Sequence, residues 1–248
     1  MRLAILTDIH ANKEAFLAVL ADLEGRAVDK IVLLGDLVGY GPDPEYCTDK
    51  AADLVAKGAI AVRGNHDEAI LRRDPTFSKS ALTALDWTRP RLTAAQAAFL
   101  GSLPMQADLE DVMFVHASPQ DPGGWIYVDS RTKAVGALRA TQARVIFCGH
   151  VHRPQLYAMD RSGQVNDLVI PFGQDLPLIA SRRWVAVVGA VGQPRDGNPA
   201  AGYALYDQAR AEMAFRRVPY DAGATATKIR QCGLPESLAL RVLSGGAS

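Results

Sequence analysis

Short apolar runs alternate with segments of helical periodicity from the start of the chain. Leu3-Ala4-Ile5-Leu6 is an unbroken apolar run of strand length, followed at once by Thr7-Asp8. Phe16, Val19, Leu20 and Leu23 then recur at i, i+3, i+4 and i+7, one face of a helix that Gly25 closes. Ile31-Val32-Leu33-Leu34 predicts a second buried strand, running into Gly35-Asp36. A helix from about Pro44 to Lys57 ends at Gly58, and Ala59 to Arg63 predicts a third strand, running into Gly64-Asn65-His66-Asp67. This β-α-β-α-β order predicts an α/β fold with parallel strands joined by right-handed crossovers.

From Glu68 to Leu103 the pattern is helical, with Thr93 as an N-cap and Pro104 as a stop. Val112 to Val115 and Val145 to Cys148 predict two further strands, ending at His116 and at Gly149-His150. The texture then changes. Leu156 to Met159, Val185 to Val188, Tyr203 to Tyr206 and Met213 to Val218 read as short strands divided by Gly, Pro and Asp, which suggests a second, largely antiparallel sheet. Ala222 to Leu243 reads as one or two terminal helices, broken near Gly233-Leu234-Pro235. No repeat or low-complexity linker divides the chain, so one domain over residues 1–248 is the simplest organisation.

Composition narrows the function classes. Lys plus Arg and Asp plus Glu both number 27, so the formal net charge is zero and no long-range field favours a nucleic-acid polymer or an anionic membrane. A small phosphate-bearing substrate stays open, because bound metals would supply positive charge locally. The three cysteines, Cys47, Cys148 and Cys232, are scattered, which fits a reducing compartment; Cys148 closes a buried strand. No apolar run approaches the roughly 18 residues of a membrane span, and the start of the chain is strand-like rather than signal-like. A cytoplasmic location is the expectation.

The candidate chemistry lies at the strand ends. All five histidines, His10, His66, His116, His150 and His152, fall just past a predicted strand, beside Gly, Asp or Asn. Ligands of open α/β sheets bind beyond the carboxyl ends of the strands, so these loops converge on one rim if the strands are parallel. Taken singly the motifs are weak. Gly35-Asp36 is compatible with an ordinary turn, and Asn65 with a helix cap. Gly149-His150-Val151-His152 is stronger, because alternate residues of an extended segment point the same way. The joint occurrence decides for a metal centre. Two cations roughly 3.5–4 Å apart clamp a phosphorus for in-line displacement, and a bridging carboxylate is what holds cations so close. The mixed N/O donors suit Mn, Fe, Zn, Co or Ni better than Ca or Mg, with Mn the expected supporter of activity.

These motifs resemble the calcineurin-like metallophosphoesterase superfamily, whose pattern is D-x-H, G-D, G-N-H-[DE], a lone H and G-H-x-H. Here they are Asp8-Ile9-His10, Gly35-Asp36, Gly64-Asn65-His66-Asp67, His116 and Gly149-His150-Val151-His152. The resemblance implies two packed mixed β-sheets flanked by helices, a four-layer αββα sandwich. It implies one divalent metal on Asp8, His10, Asp36 and His152, and a second on Asp36, Asn65, His116 and His150, with Asp36 bridging. His66 would face the leaving-group oxygen as general acid or as a transition-state donor, Asp67 would orient or tune His66, and a metal-bridging hydroxide would attack.

The second block departs from the protein Ser/Thr phosphatases of that superfamily, which carry G-D-x-V-D-R-G. Gly39 stands where their Asp supports the histidine, and Tyr40 where their Arg binds phosphate. Arg63, in Arg63-Gly64-Asn65-His66, keeps their R-G-N-H, and Arg63 and Tyr40 are both candidate substrate-binding residues. The chain is similar instead to the small stand-alone bacterial and archaeal phosphodiesterases, through Gly35 to Pro42 and through Val191-Gly192-Gln193-Pro194-Arg195-Asp196-Gly197. Arg195 offers a fork for phosphate oxygens; its alternative is solvent, or a pair with Asp196. Trp125 and Tyr127, in the Pro/Gly-rich segment after His116, are either a stacking wall for a base or aryl group or plain packing. The expected activity is hydrolysis of a small phosphodiester or phosphomonoester, with a nucleotide as one candidate. The alternatives are a dinucleoside polyphosphate or phosphoprotein substrate, and a non-catalytic protein-binding scaffold of the retromer-subunit type.

Overall fold

In the computed structural model, which describes residues 1–246, the opening pattern becomes three parallel strands. Strand β1 (Arg2–Leu6) pairs with β2 (Lys30–Leu33), and β2 with β3 (Ile60–Ala61). Helices α1 (Lys13–Glu24) and α2 (Pro44–Ala56) form the crossovers. The unbroken apolar run of β1 has a simple cause, since successive side chains point to opposite faces and both faces are covered. Ala4 and Leu6 pack with Phe16, Val19 and Leu23 of α1. Leu3 and Ile5 pack against a second sheet.

That second sheet is built on β4 (Gln106–Leu109), β5 (Val112–Val115) and β6 (Val145–Cys148), with β7 (Gln155–Met159), β8 (Val165–Leu168) and β10 (Arg183–Val187); its spatial order is β4-β5-β6-β10-β7-β8. The first sheet is completed by β9 (Leu176–Pro177), β11 (Ala201–Asp207) and β12 (Glu212–Val218), in the order β3-β2-β1-β11-β12-β9. Both sheets are mixed and six-stranded, and they pack through one core of Leu3, Ile5, Phe114, Phe147, Trp184 and Tyr206 among others. On the outer face of the second sheet, Val115, Ile146 and Cys148 pack with Ala134, Ala137 and Leu138 of α6 (Arg131–Arg139).

The late strands differ from the sequence expectation. They do not make a sheet of their own: β11 and β12 extend the first sheet from β1, while β7, β8 and β10 extend the second from β6. Apolar alternation marks a strand and its faces but carries no label for its partner, and β1 and β6 each needed a second neighbour.

The expected helical middle is α3 (Asn65–Leu71), α4 (Lys79–Thr88) and α5 (Ala94–Ser102), with Thr93 and Gln96 capping α5 reciprocally. The tail is α7 (Ala222–Gln231) and α8 (Glu236–Ser244), broken at the expected place. Ala81 and Ala84 of α4, Ala226 and Ile229 of α7, and Leu238, Ala239 and Val242 of α8 share one cluster that also takes in Tyr40. No helix is long and apolar enough to cross a membrane among the described residues. Because β5, β6 and β10 are also mutually parallel, each sheet contributes three carboxyl ends, and the loops beyond them meet.

Candidate metal centre and cavity

The loops after β1, β2, β3, β5 and β6 bring Asp8, His10, Asp36, Asn65, His116, His150 and His152 together in two groups. Ligand atoms of Asp8, His10, Asp36 and His152 lie within 4.8 Å of one another, as do those of Asp36, His116 and His150. Asn65 does not cap α3; it is the first residue of that helix, and its Oδ1 lies 3.0 Å from His116 Nε2. All seven side chains are buried.

Backbone carbonyls set the histidine tautomers. The Nδ1 atoms of His10, His116 and His152 face the carbonyl oxygens of Val38, Leu34 and Gln193 at 3.1, 2.7 and 2.6 Å. A carbonyl only accepts, so each Nδ1 carries the hydrogen and each Nε2 presents a lone pair. His10 Nε2 then lies 3.1 Å from His152 Nε2, and His116 Nε2 lies 3.2 Å from His150 Nδ1. The first two are facing acceptors, which repel unless a proton or a cation lies between them; in the second pair no carbonyl fixes the His150 tautomer. Asp8 Oδ1 is buried with no hydrogen-bond partner, while Oδ2 accepts from the Thr7 hydroxyl and the His150 amide. Asp36 Oδ1 accepts from the His66 amide at 2.8 Å. Its Oδ2 lies 3.5 Å from His10 Nε2 and 3.4 Å from His116 Nε2, between the two groups. The residues present therefore fit divalent cations.

The electrostatics agree. Burial would raise the Asp8 and Asp36 carboxyls, but the surrounding imidazoles hold both below the usual carboxylate range. Burial pushes His10 down, and His150 to about 3. It would push His116 down too, yet Asp36 and Asp8 raise that imidazole to about 9. The two carboxylates that favour a proton on His116 also place negative charge where a cation would be attracted.

Backbone strain is concentrated here. Of the 11 non-glycine residues with positive φ among the described residues, seven line or hold the candidate site: Asp8, His10, Asp36, Tyr40, Trp125, His150 and His152. Such conformations cost energy unless the surroundings enforce them, and they cluster at functional sites.

Beside the ligands, His66 opens on a cavity of about 650 Å³, lined also by Tyr40, Phe77, Ser78, Trp125, Tyr127, Arg195 and Arg241. Rings of Tyr40, His10 and Phe77 surround the His66 imidazole at 4.4, 4.8 and 4.9 Å between centroids. Its Nδ1 is buried with no partner, and burial lowers His66 to about 4. Gly39 is required beneath it, since a Cβ there would overlap the imidazole. Tyr127 stacks on His150 at 4.0 Å, and Trp125 meets the His116 ring edgewise at 5.9 Å.

Two residues stand apart from the expected arrangement. Asp67 does not reach His66: one carboxylate oxygen accepts from the Leu37 and Val38 amides, and the other from the Gly64 amide. It ties the Asp36 loop to the start of α3. Arg63 is turned away from the cavity, donating to the Gly101 and Leu103 carbonyls and pairing with Glu68 at 2.6 Å. Arg195, by contrast, lines the cavity and does not pair with Asp196, which Arg217 takes. Phe77, Ser78 and Arg241 were not legible as site residues; none belongs to a motif, and Arg241 lies far along the chain from all of them.

A parallel-strand rim, a buried Asp/His cluster and an adjoining polar cavity define the class: a phosphoesterase sandwich. The description of a calcineurin-like phosphoesterase superfamily domain matches residues 1–210, and the chain belongs to that superfamily. It is 33% identical over 251 residues to an uncharacterized protein of Methanocaldococcus jannaschii, covering 98% of each chain. Among solved structures it is similar to a metallophosphoesterase from Sphaerobacter thermophilus, at 38% identity and TM-score 0.87 over 99% of both chains. A hypothetical protein from Pyrococcus horikoshii shares the fold at 21% identity and TM-score 0.80, over 100% of this chain and 99% of the other.

Proposed function

We propose that the protein hydrolyses a small phosphodiester or phosphomonoester at a dinuclear metal centre held by Asp8, His10, Asp36, Asn65, His116, His150 and His152. The observation that carries this reading is Asp36 Oδ2, a single carboxylate oxygen lying between two groups of converging lone pairs. Two divalent cations there, with manganese the expected supporter of activity, would supply Lewis-acid charge to the phosphoryl oxygens and acidify the attacking water. The protein's own groups do the rest. Arg195 takes a non-bridging phosphoryl oxygen, as its cavity position and lack of an acidic partner allow. His66, lining the same cavity, donates to the leaving-group oxygen. Asp67 is a positioning residue, and Tyr40 holds the His66 ring from the side. Trp125 and Tyr127 offer an aromatic wall to a base or aryl leaving group. Arg63 has no part in this reading. Free Cys47, Cys148 and Cys232 are compatible with a reducing, cytoplasmic setting.

The test is hydrolysis of bis(p-nitrophenyl) phosphate. Protein stripped by chelator is expected to be inactive, and Mn²⁺ to restore turnover. Full activity in metal-free protein would end this reading.

A further inference from the structure

The superfamily match ends at residue 210, yet the cavity does not. Arg241, on the C-terminal helix α8, lines it together with Arg195, which lies in the loop between β10 and β11. The two arginines are fixed to one another through the backbone. Gly245 ends α8 in the left-handed conformation, and the amides of Gly245 and Gly246 both donate to the Arg241 carbonyl. The Gly197 amide donates to the Gly245 carbonyl at 3.0 Å, and a Cβ on Gly246 would come within 2.8 Å of the Arg195 Cα. The helix end that carries Arg241 is thus seated on the loop that carries Arg195. That loop is itself anchored to the metal centre, since the Arg195 amide donates to the His152 carbonyl at 3.1 Å.

Neither guanidinium is neutralised. Arg195 donates only to Gln193 Oε1, at 3.1 Å, and its Nε is buried without a partner. Among the described residues no carboxylate forms an ion pair with Arg195 or Arg241. The cavity's own acid away from the metal ligands, Asp74, accepts from the amide and hydroxyl of Thr76. Arg195 lies close to the centre, with its guanidinium carbon 5.6 Å from the Tyr40 ring that touches His10 and His66. Arg241 comes from a helix outside the ligand-bearing loops. Two unpaired cations bordering a single cavity favour an anion in addition to a phosphoryl group held at the metals.

We propose that Arg241 is a specificity-determining residue which, beside Arg195, binds a second, non-scissile phosphoryl group, so that the preferred substrate carries two phosphoryl groups. This rests on the phosphoesterase reading above and adds the substrate class to it.

The test compares adenosine 5′-monophosphate with adenosine 5′-diphosphate and adenosine 3′,5′-bisphosphate, as inhibitors of bis(p-nitrophenyl) phosphate hydrolysis by the Mn²⁺-loaded protein. Calorimetric titration of the same three ligands gives a reading independent of turnover. At least one doubly phosphorylated ligand is expected to bind about tenfold more tightly than the monophosphate, as a charge-assisted pair of this kind supplies. Arg241→Gln should reduce that ratio to near one, and Arg241→Lys should recover part of it. Because the readout is a ratio, a general loss of binding or stability cancels. A wild-type ratio near one, or an Arg241→Gln ratio equal to the wild type's, would overturn the proposal. Failure of the phosphoesterase reading shows separately, as absent turnover of the diester with the calorimetric ratio still measurable.

Discussion

His66 owes its position to neighbours that are small or aromatic rather than acidic. Gly39 has φ +86° and leaves room for the imidazole; Tyr40 and Phe77 enclose it, and its amide is tied to Asp36. With His66 as the donor to the leaving group, His66→Ala should slow turnover of bis(p-nitrophenyl) phosphate by about 10²–10⁴-fold. Metal content by elemental analysis should stay at the wild-type level; an emptied site would instead make His66 a ligand. Gly39→Ala places a Cβ into the imidazole at a backbone angle that L residues rarely adopt. A loss of about 1–3 kcal/mol in urea denaturation is expected, with activity impaired. At this scale the motifs were informative, because metal chemistry restricts residue types and each motif is short. The carbonyls of Leu34, Val38 and Gln193 that set the tautomers were not legible, since every residue has a carbonyl. Nor was the service of Asp67 to three backbone amides.

Among the elements, those read most directly from the pattern were the ones whose apolar positions repeat cleanly. The strand β1 and the helix α1 appear where the run and the i, i+3, i+4, i+7 spacing put them, and Thr93 caps α5 as its position suggested. Strand β4 and helix α6 had no such signal: Gln106-Ala107-Asp108-Leu109 is largely exposed or half-buried, and α6 contains two β-branched residues and a glycine. The C-terminal pair α7 and α8 was legible as helix but silent about function. Its role depends on packing, through Leu238, which is fully buried between α8 and its neighbours. Leu238→Ala should cost about 2–5 kcal/mol in chemical denaturation. Thermal unfolding at unchanged midpoint would show that α8 is not held by this contact.

For the whole molecule, the interleaving of early and late strands bears on stability. Strand β1 pairs with β11, roughly 200 residues later, and the core between the sheets draws on residues from Leu3 to Phe215. We therefore propose that residues 1–248 behave as a single domain, unfolding in one transition with coincident circular dichroism and fluorescence curves. Mn²⁺ should raise the midpoint, by about 2.7 kcal/mol of added stability when free metal is 100 times its dissociation constant; separate transitions would contradict the single-domain reading. The local features were legible without the fold: which segments become strands and helices, which side chains end at the strand termini, and that these side chains are metal-ligand types. Hydrophobic periodicity and residue chemistry are written residue by residue, so they survive in one dimension. The division of the late strands between two sheets, the turning of Arg63 away from the cavity and the arrival of Arg241 within it emerged with the packed fold. Those outcomes depend on pairings and packings between segments distant in the chain, whose energies no single segment contains.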